Sequence, residues 1–264
     1  MARVSVLMGV YNCEKYLQQA LDSLYAQTYR DFKIIMCDDG SADGTYEIAA
    51  RNAASHDNIV LLRNDRNLGL NTTLNRCLEY ADTELCARMD GDDISLPERF
   101  EKEVAFLDAH QQYAIVSAPM QYFDDGGVFR TGKGGGEPQP KDFPKGTPFC
   151  HAPCMVRTEA YKAVGGYSVS DKLLRVEDYH LWIKMYDKGY KGYMLDEPLY
   201  MMRDDRGAAH RRSLKARVNE ARVKAMSIRA FGLPMWNYLY CIKPIILGMM
   251  PSSVYSSLRR VKNG

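Results

Sequence analysis

The 264-residue chain contains no uninterrupted run of about 18 apolar residues, which excludes a conventional membrane-spanning helix. Its seven cysteines, at 13, 37, 77, 86, 150, 154 and 241, are odd in number and irregularly spaced. That excludes a disulfide framework of the kind that staples small secreted domains. Several lie inside apolar runs and read as buried thiols, which fits a reducing cytoplasm. The opening stretch MARVSVLMGVYN lacks the long apolar segment of a signal peptide after Arg3 and reads as a strand. There is no internal repeat. Acid is almost missing from one end: residues 207–264 carry 11 Lys+Arg and 1 Asp+Glu, while the whole chain is only +2. Residues 1–206 therefore hold a net −8, and the basic end is expected to have its own role, such as facing an anionic surface.

The first half alternates between two periods. Arg3 to Val10 is β-rich, and Tyr16, Leu17, Ala20, Leu21, Leu24 and Tyr25 then recur at helical spacing. Strands follow near Phe32–Cys37, Ile59–Leu62 and Leu85–Met89, with helices near Thr45–Ser55 and Leu70–Ala81 between them. This βαβαβαβ order predicts an α/β fold with a mostly parallel sheet covered by helices on both faces. Ser95-Leu96-Pro97-Glu98 predicts a capping box opening a helix that runs to about His110. A strand is expected over Tyr113–Ala118 and a hairpin turning at Asp125-Gly126. GKGGGEPQPKDFPKG (132–146) is expected as a mobile loop. Helices are predicted near Thr158–Val164, over Glu177–Lys188 and over 208–231, and strands over Tyr190–Leu195 and Leu199–Met202.

Polar clusters end three of the strands: Val10-Tyr11-Asn12, Asp38-Asp39 in DDGSADGT, and Asp90 to Asp93 in RMDGDDIS. Strand order alone brings them to one rim, where parallel sheets bind ligands. Each cluster has two readings. The D-x-D-D run is either a solvated turn or a site for a divalent cation that in turn holds a diphosphate, with Gly91 allowing close backbone approach. Asp38 and Asp39 either form an Asx turn and helix entrance or accept a hydrogen bond from a uracil N–H. Tyr11 either stacks on a base or packs on the neighbouring helix. Glu177 and Asp178 either complement a helix dipole or supply a general base. His151, between Cys150 and Cys154, lacks the second ligand pair of a zinc site and is either a buried polar residue or a contact to phosphate or metal.

Taken together, three segments are similar to glycosyltransferases of family 2 with the GT-A (Rossmann-like) fold, closest to bacterial exopolysaccharide and capsule enzymes. They are VSVLMGVYNCEKYLQQALDSLYAQTYRDFKIIMCDDGSADGT (4–45), ARMDGDDISLPERFEKEV (87–104), and GTPFCHAPCMVR…GGYS…EDYHLWIKM within 146–185. The likeness extends over about residues 3–203. It implies a catalytic domain over 1–206, split into a nucleotide-sugar half (1–110) and an acceptor half (111–206), with a basic helical and amphipathic region over 207–264. Val10 and Tyr11 would line the nucleobase pocket and Asp39 would bind the uracil edge. Asp90 and Gly91 would lie by the ribose and diphosphate. Asp92, with Asp90, would hold Mn²⁺ or Mg²⁺. Asp178 would be the catalytic base, with Glu177 as the second candidate. Asp93, His151 and Trp182 would contact acceptor or phosphate. No Q-x-x-R-W motif follows the E-D pair, which tells against a processive synthase.

The activity so implied is metal-dependent, inverting transfer of a hexose from a UDP-sugar to a glycan hydroxyl. A nucleotidyltransferase would need a basic glycine-rich loop after the first strand, and GVYNCEKY (9–16) is not one. The other reading is a GT-A-fold binding or regulatory protein that acts through a protein partner. Trp236, Tyr238, Tyr240, Ile245, Ile246, Leu247, Met249 and Met250, with Arg259, Arg260 and Lys262, suit a membrane-surface segment. The alternatives are packing on the domain or a homodimer. A membrane role would place the chain peripherally at the inner face of the cell membrane, with a lipid-diphosphate-linked acceptor. No nucleic-acid partner is expected.

Overall fold

The computed structural model describes residues 2–204 and 213–249. Strands β1 (Val4–Val10), β2 (Phe32–Asp38), β3 (Ile59–Arg63) and β4 (Leu85–Arg88) alternate with helices α1 (Leu17–Tyr25), α2 (Thr45–Ser55) and α3 (Leu70–Glu79). There follow β5 (Ile94–Ser95), α4 (Arg99–Ala109), β6 (Ile115–Ser117), β7 (Met120–Asp124), β8 (Gly127–Thr131), β9 (Met155–Arg157), α5 (Thr158–Ala163) and α6 (Glu177–Asp187). β10 (Gly192–Met194), β11 (Tyr200–Arg203), α7 (Leu214–Ala230) and α8 (Leu239–Met249) complete the described chain.

The main sheet has the order β10-β6-β9-β4-β1-β2-β3. Only β9 runs antiparallel, against both β4 and β6. Period-two alternation divides its side chains between two cores. Val6, Met8, Ile34 and Met36 face Leu17, Leu21 and Leu24 of α1 and Phe100 of α4. Leu7, Ile35 and Cys37 face Leu74 and Cys77 of α3, and the same core continues to Trp182 of α6 and Val223 of α7. Each fully buried Leu or Phe contributes roughly 1.5–3 kcal/mol over an exposed one, so both faces must be covered, as a parallel sheet requires. A smaller sheet, β5-β11-β7-β8, stands beside it. Its β7–β8 hairpin turns at Asp125-Gly126, between the paired Asp124 and Gly127, as the sequence predicts.

Two local expectations fail. Ser95 does not cap α4, because it pairs with Tyr200 in the small sheet and is drawn away from the helix start. The cap comes from outside: Gln27 Oε1 accepts from Phe100 N at 3.1 Å, and Gln27 Nε2 donates to Leu96 O at 2.9 Å. Residues 132–146 are not a free loop. Gly136 and Met194 exchange backbone hydrogen bonds at 3.0 and 2.9 Å. Phe143 is fully buried, with ring contacts to Tyr186 and Phe231. One aromatic anchor in a glycine-rich stretch is enough to fix it.

The basic helix expected over 208–231 is described from Leu214 and is built into the body. Buried Lys224 donates to Pro144 O at 2.8 Å and Lys145 O at 2.9 Å, and Asn219 donates to Asp171 O at 3.1 Å. Beyond it Met235, Trp236, Leu239, Ile242, Ile246 and Met249 are exposed. Met250, Arg259, Arg260 and Lys262 lie outside the described residues. Among the described residues no helix is long and apolar enough to cross a membrane.

Candidate active site

β4, β1 and β2 are adjacent and parallel, so Asp90–Asp93, Val10–Asn12 and Asp38–Asp39 follow neighbouring strand ends. Asn12 ties two of the loops together: its N–H donates to Ser41 Oγ at 3.0 Å, and its Oδ1 accepts from Ala42 N at 2.9 Å. Val10 is buried, and Tyr11 stands 47% exposed beside it. Gly91 lies against this wall. A Cβ there would meet Cys13 Sγ at 2.8 Å and Val10 Cγ1 at 3.0 Å, so the D-G-D turn needs glycine to seat on β1.

Asp38 and Asp39 are buried but consumed differently. The Asp38 carboxylate accepts from Ser41 N at 3.3 Å and pairs with Arg63 Nε at 3.2 Å, which makes it a scaffold for its own turn. Asp39, 4% exposed, accepts from Asn64 Nδ2 at 2.7 Å and from the backbone N–H groups of Leu68 and Gly69 at 2.9 Å each. Gly40, at φ +70°, lets the 64–69 loop pack directly behind, since a Cβ would lie 2.6 Å from the Arg66 backbone. Of a carboxylate's four acceptor positions, Asp39 thus keeps one.

The acidic turn is held from below and from the side. Arg88, fully buried at the end of β4, donates to Asp90 and to Met89 O. Burial opposes its charge, but Asp90 outweighs that and holds the guanidinium above its ordinary pKa. Arg99 donates to Arg88 O at 2.9 Å and pairs with Glu103 at 3.2 Å, all three side chains being buried. Burial pushes the Glu103 carboxyl up to about 7, against the pull of Arg99. From β11, Tyr200 Oη accepts from Asp90 N at 3.1 Å, and Arg203 Nε donates to Asp92 O at 3.1 Å.

The three aspartates differ in access. Asp93 is buried and accepts from Arg203 N at 2.7 Å, so it latches β11 to the turn. Burial, then Asp90 and Asp92, push its carboxyl well above the usual range. Asp92 still meets solvent, yet the crowded walls and the charge of Asp90 raise its pKa too. Two carboxylates that repel each other across one glycine form an electrostatic demand for a cation. Among the described residues no group of three or more His, Cys, Asp or Glu side chains is arranged to enclose a metal. Asp90 and Asp92 would therefore hold a divalent ion jointly with oxygens from a ligand, which is how Mg²⁺ is bound beside phosphates.

His151, Glu177, Asp178 and Trp182 come from the other half of the chain. His151 Nε2 lies 2.8 Å from Tyr167 Oη. Burial and then Arg88 lower its pKa to about 3, with Asp90 acting the other way, so the ring is neutral at pH 7. Asp178 opens α6, and its charge acts on the Cys150 thiol and the Tyr167 phenol. Asp90 acts on the His151 ring and Asp178 on the Tyr167 phenol that is hydrogen-bonded to it. Glu177 Oε2 is buried and has no hydrogen-bond partner among the described residues. Trp182 is wholly buried, its ring centroid 6.2 Å from that of His151. Arg88, Tyr200 and Arg203 escaped the sequence reading. Arg88 left a signal, a cation inside the apolar strand LCAR; Tyr200 and Arg203 left none near the turn they hold, 110 residues away.

The comparisons with known proteins bear on this geometry. The model of the family described as glycosyl transferase family 2 matches residues 5–165. EpsE of Bacillus subtilis (strain 168) is 40% identical over 99% of this chain and 95% of its own. The Escherichia coli enzyme WfaP, named as a UDP-Glc:alpha-D-GlcNAc-diphosphoundecaprenol beta-1,3-glucosyltransferase, is 24% identical over 93% of this chain and 95% of its own. The fold is shared with S. aureus TarS 1-349, solved in complex with UDP, at TM-score 0.70 and 20% identity over 94% of this chain and 71% of that one. It is shared also with the mannosyltransferase PcManGT of Pyrobaculum calidifontis, solved with GDP-Man and Mn²⁺, at TM-score 0.69 and 18% identity over 98% and 79%. The GT-A fold, the acidic rim and the matched segment agree: the chain belongs to glycosyl transferase family 2.

Proposed function

We propose that this glycosyltransferase moves a hexose from a UDP-sugar to a hydroxyl of a lipid-diphosphate-linked glycan, with inversion, in exopolysaccharide or capsule synthesis. The observation that carries it is Asp92, solvent-accessible and raised in pKa by its crowded walls and by neighbouring Asp90, one strand away from the buried acceptor Asp39. Val10 and Tyr11 line the base, Asp39 accepts its ring N–H, and Asp90 and Gly91 lie by the ribose and diphosphate. A bound Mn²⁺ or Mg²⁺ at Asp92 and Asp90 supplies charge stabilisation for the departing diphosphate. Asp178 takes the proton of the acceptor hydroxyl as that oxygen attacks the anomeric carbon and the bond to the UDP oxygen breaks. One such displacement turns an α-linked donor into a β-linked product and needs no protein nucleophile. Neutral His151, held by Tyr167, offers a ring nitrogen beside this path without competing for the cation.

The acceptor class is supported by WfaP, whose name gives a diphosphoundecaprenol-linked sugar as its acceptor. A peripheral position at the inner membrane face is supported by the exposed apolar stripe Met235, Leu239, Ile242, Ile246 and Met249 and by the basic C-terminal balance. Deleting 232–264 should then free the protein from anionic vesicles, and equal co-sedimentation of both forms would sink the membrane reading. Donor binding is tested by thermal shift with a panel of UDP-sugars and Mn²⁺. A stabilising shift that vanishes in Asp92→Ala is expected, and no shift with any UDP compound in the native protein would overturn the reading.

A further inference from the structure

The inference concerns how the rim selects one base, and it rests on the reading of Asp39 as the base-recognition residue. Asn64 is buried in the loop after β3, and its backbone N–H and its side-chain amide are all committed. Its N–H donates to Asp38 O at 2.8 Å. Its Oδ1 accepts from Arg76 Nη1 at 2.6 Å, which fixes the amide so that Nδ2 faces inward. Nδ2 then donates to Asp39 Oδ1 at 2.7 Å and to Thr73 Oγ1 at 3.1 Å. Leu68 N also donates to Asp39 Oδ1, which saturates that oxygen, while Gly69 N takes one position on Oδ2.

We infer that Asn64 is a specificity-determining positioning residue: by filling Asp39 Oδ1 it leaves the carboxylate able to accept one base N–H and not two. Uracil presents a single ring donor, N3–H, between two carbonyls, and one acceptor position meets it. Guanine presents N1–H and N2–H side by side and needs both oxygens of a carboxylate. With Oδ1 saturated, one of those donors is buried without a partner, which is costly. Cytosine has a lone pair where uracil has N3–H, and it meets the carboxylate with repulsion. The preference for a uridine nucleotide is therefore written in the hydrogen bonds behind Asp39, besides the size of the pocket in front of it.

The test compares UDP, IDP and GDP binding to the full chain by calorimetry with Mn²⁺. Hypoxanthine and guanine differ only by the 2-amino group, and the change of their ratio in a variant behind Asp39 separates its hydrogen bonding from its small added volume. The native protein should bind UDP most tightly and IDP about tenfold more tightly than GDP. In Asn64→Ala the IDP-to-GDP gap should close by about tenfold, because Oδ1 regains a position. Thr73→Val, which spares the Asn64–Asp39 bond, should keep the gap. GDP binding the native protein as well as IDP does, or an unchanged gap in folded Asn64→Ala, overturns the inference. Should Asn64→Ala not fold, Asn64→Leu, which fills the space without a donor, is measured in its place and should close the gap likewise. A native protein that binds GDP and IDP equally but still prefers UDP refutes this inference and leaves the donor reading standing; one that binds no UDP refutes the donor reading itself, and this inference with it.

Discussion

Two acidic clusters sit at strand ends of one sheet, separated by a single strand, and their surroundings divide them. At the end of β2, Asp38 and Asp39 are buried and supplied with N–H donors from their own turn and from the 64–69 loop. At the end of β4, the Asp90 carboxylate pairs with Arg88, that of Asp93 accepts from Arg203 N, and Arg203 Nε reaches only the Asp92 carbonyl; the carboxyls of Asp92 and Asp93 titrate above their usual range. Asp38 is spent on its own turn and Asp39 keeps a single acceptor position, whereas Asp92, held near Asp90 with fewer internal donors, is the carboxylate proposed to share a cation. Residue type does not separate the clusters, but the count of internal donors does.

The sharpest way to break this contrast is to remove a carboxylate from each side. Asp92→Asn should lower turnover by about a thousandfold, since metal stabilisation of a leaving diphosphate is worth several kcal/mol. Its melting temperature should hold or rise, because repulsion with Asp90 is relieved. Steady-state kinetics and calorimetry together check both halves; lost stability in that variant would place Asp92 with the scaffold. Asp178→Asn should reduce turnover by about a hundredfold or more while UDP affinity is kept, and Glu177→Gln should do much less. A reversal of those two would move the base to Glu177.

The β4 side also rests on a buried ion pair, and pH reaches it there. Glu103 is pushed from an ordinary 4.5 up to about 7 in the folded state by burial. Below 4.5 both states carry the proton and nothing is lost. Between 4.5 and about 7 the unfolded chain ionises first, so stability falls as pH rises through that window and stays reduced above it. The loss is on the order of 3 kcal/mol. Melting temperatures from pH 5 to 8 should decline in the native protein and flatten in Glu103→Gln. Asp38→Ala, on the β2 side, should cost about 2 kcal/mol in denaturant titrations through its lost turn and the Arg63 pair, with turnover of the folded fraction little changed.

Much of this arrangement was legible in the sequence because it is local. The two periods of the first half name strands and helices, parallel pairing brings their ends to one rim, and the D-x-D-D, DDGSADGT and E-D runs mark what stands there. What stayed hidden is what long-range packing decides. Tyr200 and Arg203 reach the acidic turn only because β11 joins β5 and β7 in a second sheet. The partners of Asp39 depend on how the 64–69 loop folds back, which turn-forming residues do not specify. The glycine-rich stretch 132–146 reads as loose in composition, yet Phe143 finds its core in Tyr186 and Phe231, far later in the chain.

The entrance to α4 offers the smallest and most discriminating effect, because there a local signal and a long-range contact compete directly. S-x-x-E at 95–98 satisfies every sequence criterion for a cap, but Ser95 serves the β5–β11 ladder, and Gln27, from the turn after α1, accepts from the helix N–H instead. A true N-cap serine is worth about 1 kcal/mol. Ser95→Ala should therefore cost less than that, losing only the hydroxyl's bond with Gln27 Nε2 at 3.1 Å. Gln27→Ala should cost about 2 kcal/mol, since it strands buried donors and acceptors at both ends of the amide. Chemical denaturation of the two variants settles the order. Equal losses would mean that the serine caps the helix in solution and that the acidic turn, three residues upstream, is anchored by its own chain more than by β11.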